Sequence, residues 1–313
     1  MTDSQQIVLK FGGYQPPASV HTRAADVFGR ELTARLGDQI VFQFDANIVA
    51  DGHNAKELLS RVESGALSMC YFSASYLADR VAEFALLDLP FMFKNRAHAY
   101  AVLDGPLQAY LADKLSQNTG YKLMGFWDNG FRHFSNSVRP IRVPKDCQGL
   151  TIRTLFSDLH GQVFKALGFD PVPLDVKDLI AGIESGAVTA QENPLTNTYN
   201  FGIHHHHKYM TLSSHFFGAA ALLCNARIYD AWPPHVQAAV DEAAKLATSA
   251  QRGFAAQEDA VMLAKLAETD AQVIELSVVE QALFAAAAEP VMAAQRQRFG
   301  DDLFALVEAD MKP

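Results

Sequence analysis

The sequence lacks the residues and motifs that mark a disulfide scaffold, a thiolate metal site or a membrane span. Its three cysteines, Cys70, Cys147 and Cys224, are odd in number and far apart, so neither a disulfide framework nor a CxxC site is predicted. Cys70 lies in an apolar strand-like run, which predicts a small buried hydrophobe. No apolar run approaches the roughly 20 residues needed to cross a bilayer. GxGxxG, Walker and GxSxG motifs are also missing, so nothing in the pattern demands catalysis.

Cations are in the minority. Lys and Arg number 26 against 35 Asp and Glu, and the net charge is −9. This balance argues against a nucleic-acid or anionic-membrane partner and requires that any acidic ligand be captured by local cations. The start, MTDSQQ, has no basic n-region and no apolar h-region, so no signal peptide is predicted in the chain as it stands. The chain is then expected to be either cytoplasmic or the mature form of an exported protein.

One segment occurs twice. Residues 58–68 read LLSRVESGALS, and residues 179–189 read LIAGIESGAVT. Each copy predicts the last turns of a helix, a left-handed glycine and the start of a strand. Two copies of one αβ unit predict two similar lobes, for which the chain is long enough. Since ligands in open α/β sheets bind outside the carboxyl ends of the strands, we expect a cleft where the lobes meet.

Other segments predict further strands and helices. Residues 119–136 predict a strand, a turn and a second strand, and residues 209–213 and 219–225 predict two separate strands. Residues 234–297 are rich in Ala, Gln, Glu and Lys and contain few turn signals. They predict long helices, one of which is expected to span both lobes.

Two arginines stand among apolar neighbours. Arg132 follows Gly-Phe within an aromatic segment, and Arg153 lies in the apolar strand-like run LTIRTL. A buried arginine needs either a protein carboxylate, for instance Glu192, or a ligand, and both partners remain open for each arginine. The guanidinium fork fits a carboxylate with two hydrogen bonds. Asn193 precedes Pro194 at the end of the second repeat strand, where its amide could serve as donor and acceptor.

Four consecutive histidines, His204 to His207, are the obvious metal candidate. Neighbouring histidines point in different directions, and no nearby Cys or carboxylate completes a site. The preferred interpretation is therefore a solvated loop, and a metal-dependent enzyme is kept as an alternative.

Several motifs together carry a family resemblance. They are LKFG at 9–12, LPF at 89–91, GFR at 130–132, GLTIR at 149–153 and QENP at 191–194, together with the second repeat. With these motifs the sequence resembles the DctP-type solute-binding proteins of tripartite ATP-independent periplasmic (TRAP) transporters. The resemblance implies an α/β, two-lobed type II periplasmic-binding-protein fold with a hinge and a long lobe-spanning helix. Its expected domains are lobe I (1–124 and about 212–245), lobe II (125–211 and about 246–280) and C-terminal helices (about 281–313).

The resemblance also implies a function without catalysis or cofactor. An extracytoplasmic solute-binding protein would capture an organic acid in the cleft, close on its hinge, and deliver the acid to the TRAP permease subunits. The family's carboxylate-clamping Arg matches Arg153, a second ligand-contacting Arg matches Arg132, and the Asn of QENP matches Asn193. By position, the other lining residues would be Tyr14, Asn54, Phe72, Ser73, Trp127, Phe156, Val176 and Phe216. Localisation in the periplasm and a monomeric or dimeric state are implied as well.

The sequence also departs from the family pattern. Residues 189–191 read TAQ where the family commonly has Asp-Gly-Gln. The sialic-acid-binding branch carries polar or charged groups at the positions of Tyr14, Ser73 and Phe156, which argues here against a polyhydroxylated sugar acid. The aromatic set of Tyr14, Phe72, Trp127 and Phe156 predicts an apolar or planar ligand body. We therefore favour an aromatic or branched 2-oxo or hydroxy monocarboxylate over a small dicarboxylate. A ligand-sensing receptor of the same fold is the second alternative.

Overall fold

Strands and helices alternate along most of the chain, as the α/β class predicts. The structure, a computed structural model, describes residues 6–308. The strands are β1 (Ile7–Gly12), β2 (Ile40–Asp45), β3 (Met69–Ser73), β4 (Tyr121–Asn136), β5 (Thr151–Thr154), β6 (Asp170–Pro173), β7 (Ala190–Pro194), β8 (Tyr209–Asn225) and β9 (Gln272–Glu275). The helices are α1 (Val20–Leu36), α2 (Glu57–Ser64), α3 (Arg96–Leu103), α4 (Pro106–Asn118), α5 (Asp158–Ala166), α6 (Leu179–Glu184), α7 (Leu195–Asn200), α8 (Ala226–Ala231), α9 (Pro234–Ala267), α10 (Val278–Phe299) and α11 (Asp301–Val307). None of the helices within residues 6–308 has both the length and the apolar character of a membrane span.

The described residues form two compact units. Unit 1 takes its residues from Met1–Ala74, Gln108–Asp128 and Ala219–Ala256, and unit 2 from Ser75–Leu107, Asn129–Gly218 and Gln257–Pro313. Four elements, α4, β4, β8 and α9, therefore contribute residues to both units. Several chain crossings of this kind join the units covalently.

The predicted lobe limits can be compared with these units. Most of them fall within β4, β8 and α9, three of the shared elements that also contain observed limits, while residues 1–5 and 309–313 lie outside the described range. Residues 75–107, which the sequence analysis assigned to lobe I, belong to unit 2. The physical reason is packing, because Ala78, Ala85 and Phe91 contact the hydrophobic core of unit 2.

Unit 1 contains the strand order β2-β1-β3-β8. Strand β1 runs parallel to β2 and β3, and β3 runs antiparallel to residues 220–224 of β8. Helix α1 begins where Ser19 Oγ accepts a hydrogen bond from the Thr22 N–H, and it ends at Gly37 with a φ of 53°. The core of the unit is an aromatic cluster around Phe11. Its ring partners are Phe28, Phe42, Phe44, Tyr71 and Trp127.

Unit 2 contains the strand order β6-β5-β7-β4. Strand β5 runs parallel to β6 and β7, and β7 runs antiparallel to residues 132–136 of β4. Strand β9 adds a parallel partner to residues 209–212 of β8. The core lies where these strands meet helices α5 and α10. It includes the buried side chains of Phe134, Ile152, Phe164, Ala190, Phe284 and Ala288.

The predicted duplication is confirmed at the level of architecture. The order β2-β1-β3-β8 and the order β6-β5-β7-β4 have the same pattern of two parallel contacts followed by one antiparallel contact. The repeated segments occupy corresponding places, since α2 leads into β3 and α6 leads into β7. Gly65 and Gly186 follow the two helices with φ values of 81° and 73°, a conformation that glycine adopts without strain.

The prediction of a turn within residues 119–136 is wrong. Strand β4 runs without interruption for 16 residues through Asp128-Asn129-Gly130, although Asn-Gly is a strong hairpin signal. Gly125 and Gly130 have φ values of 147° and 91° inside the strand, so the glycines adjust its backbone without ending it. Likewise, the two strands predicted within residues 209–225 are one strand, β8, of 17 residues. A long continuous ladder outweighs local turn signals here.

Candidate ligand-binding site

Arg153 is a buried cation that has no bonded carboxylate partner within residues 6–308. It lies in β5 with 1% of its surface exposed, and its Nε donates a hydrogen bond to the Leu174 carbonyl oxygen at 2.8 Å. Its Nη2 is buried and has no hydrogen-bond partner among residues 6–308. Burial lowers the pKa of Arg153, because removal from water disfavours the charged form of the guanidinium. Such a group fits the capture of an anion that enters from outside the chain.

The surroundings of Arg153 are polar and charged. The negative charges of Tyr76 (when ionised), Glu192 and Asp175 favour the charged form of Arg153, and the neighbouring cation Arg132 opposes it. Tyr76 is itself buried, and burial raises the pKa of its hydroxyl despite the nearby Arg153. Tyr76 therefore remains a neutral phenol at physiological pH and can donate a hydrogen bond.

Arg132 has a protein partner. Its Nε bonds Glu192 Oε2, and its Nη2 donates to Glu192 Oε1 at 2.7 Å and to the Glu192 carbonyl oxygen at 3.0 Å. Of the two partners left open by the sequence, the protein carboxylate is the one observed. Burial alone would raise the pKa of Glu192, but Arg132 and a hydrogen bond with His215 outweigh it, and this pKa lies well below its usual range. Burial lowers the pKa of His215 to about 4, so the imidazole is neutral at pH 7.

Asn193 belongs to a row of buried polar side chains. Its Nδ2 donates to Gln191 Oε1 at 2.6 Å, and Gln191 Nε2 donates to Ser135 Oγ at 2.6 Å. Ser135 Oγ lies 3.0 Å from His207 Nδ1. We call Asn193, Gln191, Ser135 and His207 the amide chain. Asn193 Oδ1 accepts from Arg132 Nη2 at 3.4 Å, so the amide chain touches the buried ion pair.

Trp127 is part of the aromatic core of unit 1. Its ring stacks on Tyr71 with 5.3 Å between centroids and on Phe11 with 6.4 Å. Its Nε1 donates to Thr248 Oγ1 at 3.1 Å, so the indole is fully packed and its donor is satisfied. These contacts give Trp127 a structural role, and its role as a ligand-lining residue stays a prediction.

The other predicted residues of unit 1 are distributed over several loops and strand ends. Tyr14 and Phe72 are brought together, with an edge-to-face ring contact at 5.2 Å. Ser73 is buried at the end of β3, next to Phe72. Asn54 is exposed before α2, where its backbone N–H donates to Glu57 Oε1 at 3.0 Å.

Three predicted residues of unit 2 have different environments. Phe156 follows β5 by two residues and is 41% exposed, so its ring is available for contact. Val176 is half-buried in the turn after Leu174, the residue that binds Arg153 Nε. Phe216 is buried in the core of the unit and stacks on His160 at 4.4 Å.

The solvated-loop interpretation of the histidine run is wrong for its last member. His207 is fully buried, and its backbone N–H donates to the Ile203 carbonyl at 2.9 Å. His204 stacks on Tyr199 at 4.4 Å with a 2° interplanar angle. Among residues 6–308 no group of three or more His, Cys, Asp or Glu side chains is arranged to hold a metal ion. The Nδ1 of His207 lies 3.0 Å from Ser135 Oγ of β4, a partner 72 residues away that periodicity does not reveal.

Sequence reasoning missed several of the polar neighbours. Tyr76 was not singled out, since its position beside Arg153 arises only from tertiary structure. Ser135 and Gln191 gave no distinct signal, because the strands that carry them contain several other polar residues. Only the tertiary structure shows that these two buried side chains are hydrogen-bonded to each other.

Comparisons with known proteins identify the family of the chain. Residues 11–298 match the family described as bacterial extracellular solute-binding protein, family 7 (DctP). A solute-binding protein of Verminephrobacter eiseniae is 31% identical over 277 residues, which cover 88% of this chain and 81% of the relative.

Two solved structures are also similar. One is a TRAP periplasmic solute-binding protein of Sulfurospirillum deleyianum with bound succinate (27% identity, TM-score 0.91, 97% of this chain and 99% of that chain). The other is a TRAP periplasmic solute-binding protein of a Polaromonas species bound to D-erythronate (27% identity, TM-score 0.92, 98% and 100%). The predicted two-lobed binding-protein fold is confirmed by these likenesses, and the chain belongs to family 7 of the bacterial extracellular solute-binding proteins, the DctP family.

Proposed function

We propose that this solute-binding protein captures an organic acid through its carboxylate on Arg153. One observation carries the proposal: a buried guanidinium whose Nη2 has no hydrogen-bond partner within residues 6–308. The nearby carboxylate of Glu192 does not fill this role, because it is engaged by Arg132. A carboxylate ligand supplies both the missing charge and acceptor atoms for the guanidinium fork.

The expected affinity follows from a few charge-assisted bonds. A hydrogen bond to a charged group contributes roughly 1.5–3 kcal/mol net. Two or three such bonds, from Arg153, the Tyr76 hydroxyl and Asn193, together with apolar contact, reach the roughly −8 kcal/mol of a micromolar complex. Arg132 acts mainly by holding Glu192 and only indirectly on the ligand.

For the ligand class we favour a 2-oxo or 2-hydroxy monocarboxylate with an apolar or planar body. The exposed ring of Phe156, three residues beyond Arg153, supports an apolar body. Succinate and D-erythronate in the similar structures share a carboxylate and otherwise differ. They support an organic acid as the ligand class, but not a particular structure for the rest of the ligand.

We further propose that the protein acts outside the cytoplasm and passes its ligand to a TRAP membrane permease. Membership in an extracellular solute-binding family supports this role. Uptake of a labelled acid by cells that express a TRAP permease with this chain, compared with the Arg153→Lys variant, tests the delivery step. Equal uptake with both would contradict it.

The first experiment is a thermal-shift screen against aromatic, branched 2-oxo, dicarboxylic and sugar acids. A ligand at 100 times its Kd stabilises the protein by about 2.7 kcal/mol, which raises the melting temperature by a few degrees. A shift confined to one acid class identifies the ligand class, and no shift with any acid in protein shown by native mass spectrometry to be ligand-free contradicts the proposal.

The role of Arg153 is then tested by calorimetry. Arg153→Lys is expected to weaken binding of the best acid at least a hundredfold, because a point charge cannot replace the fork. Arg142→Lys is the matched control, since Arg142 is half-exposed and pairs at 3.2 Å with Glu280 on the surface. Parent-like binding by Arg153→Lys would show that another residue holds the carboxylate.

A further inference from the structure

The amide chain lies on the same face of the unit 2 sheet as Arg153. Gln191 is in register with Arg153 on one side and with Ser135 on the other. Residues that oppose each other in neighbouring strands direct their side chains to the same face. The row of buried amides is thus a neighbour of the proposed carboxylate site.

We propose that the amide chain is a one-way hydrogen-bond relay which fixes the Asn193 amide so that it offers the ligand a single N–H donor. Gln191, Ser135 and His207 are then positioning residues. The site selects acids whose group beside the carboxylate accepts a hydrogen bond, as 2-oxo and 2-hydroxy groups do. It rejects a 2-ammonium group. The inference rests on the proposed function, since it places Asn193 beside the ligand.

The direction of the relay is set at its Arg132 end. A guanidinium can only donate hydrogen bonds, so the Asn193 atom that faces Arg132 must be the oxygen. The Asn193 nitrogen therefore faces Gln191, whose oxygen must accept. By the same logic the Gln191 nitrogen donates to the Ser135 hydroxyl.

The relay ends at His207. Within residues 6–308 the hydroxyl of Ser135 has one further partner, His207 Nδ1, and in the proposed relay the hydroxyl donates its hydrogen to this nitrogen, which is the arrangement that uses the hydroxyl both as acceptor and as donor. His207 is then the neutral tautomer with its proton on Nε2, an atom that is buried without a hydrogen-bond partner in the described residues. Burial lowers the pKa of His207 to about 4, which keeps the imidazole neutral.

The hydrogen bonds of the Asn193 amide leave one of its donors available. Its oxygen already accepts from Arg132 and, at 3.4 Å, from Asn197 Nδ2, so both lone pairs are used. Its nitrogen has two hydrogens, and one is donated to Gln191. The remaining N–H is what Asn193 can give to a ligand.

The relay is tested first without ligand. In ¹⁵N NMR of the full chain near pH 7, His207 is expected to have an unprotonated, hydrogen-bonded Nδ1 and a protonated Nε2. Ser135→Ala should remove the hydrogen-bond signature at Nδ1, and Ser135→Thr, which keeps a hydroxyl, should restore it. A protonated Nδ1 in the parent would overturn the one-way relay.

Selectivity is tested next with matched pairs, 4-methyl-2-oxopentanoate with L-leucine and phenylpyruvate with L-phenylalanine. The parent is expected to bind the oxo acid at least a hundredfold more tightly than the amino acid. Ser135→Ala should reduce this ratio of affinities about tenfold, whereas Ser135→Thr should leave it unchanged. Asn193→Asp, which replaces the donor by an acceptor of the same shape, should shift the preference toward the amino acid. Melting curves confirm that each variant is folded.

The two proposals fail in different ways. If acids bind in an Arg153-dependent manner but Ser135→Ala and Asn193→Asp keep the parent ratio, the relay is wrong and the carboxylate receptor stands. If no acid binds the parent, the receptor proposal falls together with the selectivity claim, and the NMR result still decides the direction of the relay.

Discussion

Arg132 and Arg153 carry the same charge in similarly buried positions of β4 and β5, the strands on either side of β7, and their partners separate their roles. Arg132 is held by Glu192 with two side-chain bonds, whereas in the described part of the chain Arg153 has one hydrogen bond, to a backbone carbonyl. In a low-dielectric interior a paired charge is tolerated and an unpaired one is costly. The pairing of Arg132 therefore stabilises the folded chain. Burial of the Arg153 charge destabilises it, and a bound carboxylate can offset that cost in free energy.

This difference predicts opposite effects of the same substitution. Arg132→Met leaves the Glu192 carboxylate buried without its cation and should lower the free energy of unfolding by about 3–5 kcal/mol. Arg153→Met removes a buried charge that has no hydrogen-bonded carboxylate partner within residues 6–308, so the ligand-free protein should be at least as stable as the parent and should not bind acids. Melting temperatures with and without the best acid measure both effects. A loss of several degrees in ligand-free Arg153→Met would indicate a structural role for Arg153.

At the scale of elements, the end of β7 is fixed by close backbone packing against β4. Pro194 lies opposite Arg132 in the ladder, and a Cβ placed on Gly130 would lie 3.0 Å from Pro194 Cβ. The φ of Gly130 is 91°, which L side chains rarely adopt. The glycine thus allows the strand carrying Arg132 to approach the strand carrying Asn193.

Gly130→Ala should therefore be destabilising, by about 1–2 kcal/mol for the backbone conformation and more for the contact with Pro194. The variant should also bind the acid more weakly, because Asn193 precedes the displaced proline. Gly253→Ala is the control, since Gly253 lies inside α9 with no atom near its added Cβ. It should stabilise the protein by roughly 0.5–1 kcal/mol. Equal melting temperatures for the two variants would contradict the packing argument.

At the scale of the whole molecule, both units contain histidines that burial keeps neutral. Burial lowers the pKa of His21 and of His133 to about 3, and that of His207 and His215 to about 4. In the unfolded chain each would titrate near 6.5. The unfolded state therefore binds more protons as the pH falls, so stability is full above about pH 6.5 and declines steadily toward pH 4.

His21→Phe tests this origin of the pH dependence. The imidazole stacks on Tyr71 at 5.1 Å, and its Nε2 is buried without a hydrogen-bond partner in the described residues, so a phenyl ring loses little. The variant should lose less stability between pH 7 and pH 4 than the parent, by roughly 1–3 kcal/mol. Urea unfolding at several pH values measures the difference, and an unchanged slope would show that His21 is not a source of it.

Local patterns were sufficient to predict structure wherever the interactions that stabilise a segment lie within that segment. The repeated helix, glycine and strand were readable because αL glycines and apolar spacing act over a few residues. Arg153 was readable as a site candidate, since a charge among apolar neighbours requires a partner, and Asn193 was readable because it precedes Pro194 at the end of a predicted strand. The continuity of β4 was not readable, because a long ladder overrides the Asn-Gly turn signal.

The sequence by itself determined the class of fold, the duplicated αβ units and the family, with Arg153 as the proposed carboxylate-binding residue. Only the tertiary structure decided that Arg132 pairs with Glu192 and Arg153 with no carboxylate in the described chain, and that His207 is buried against Ser135. The physical reason is distance along the chain. Glu192 lies 60 residues from Arg132, and Ser135 lies 72 from His207, so nothing in their local sequence states which partner each will meet.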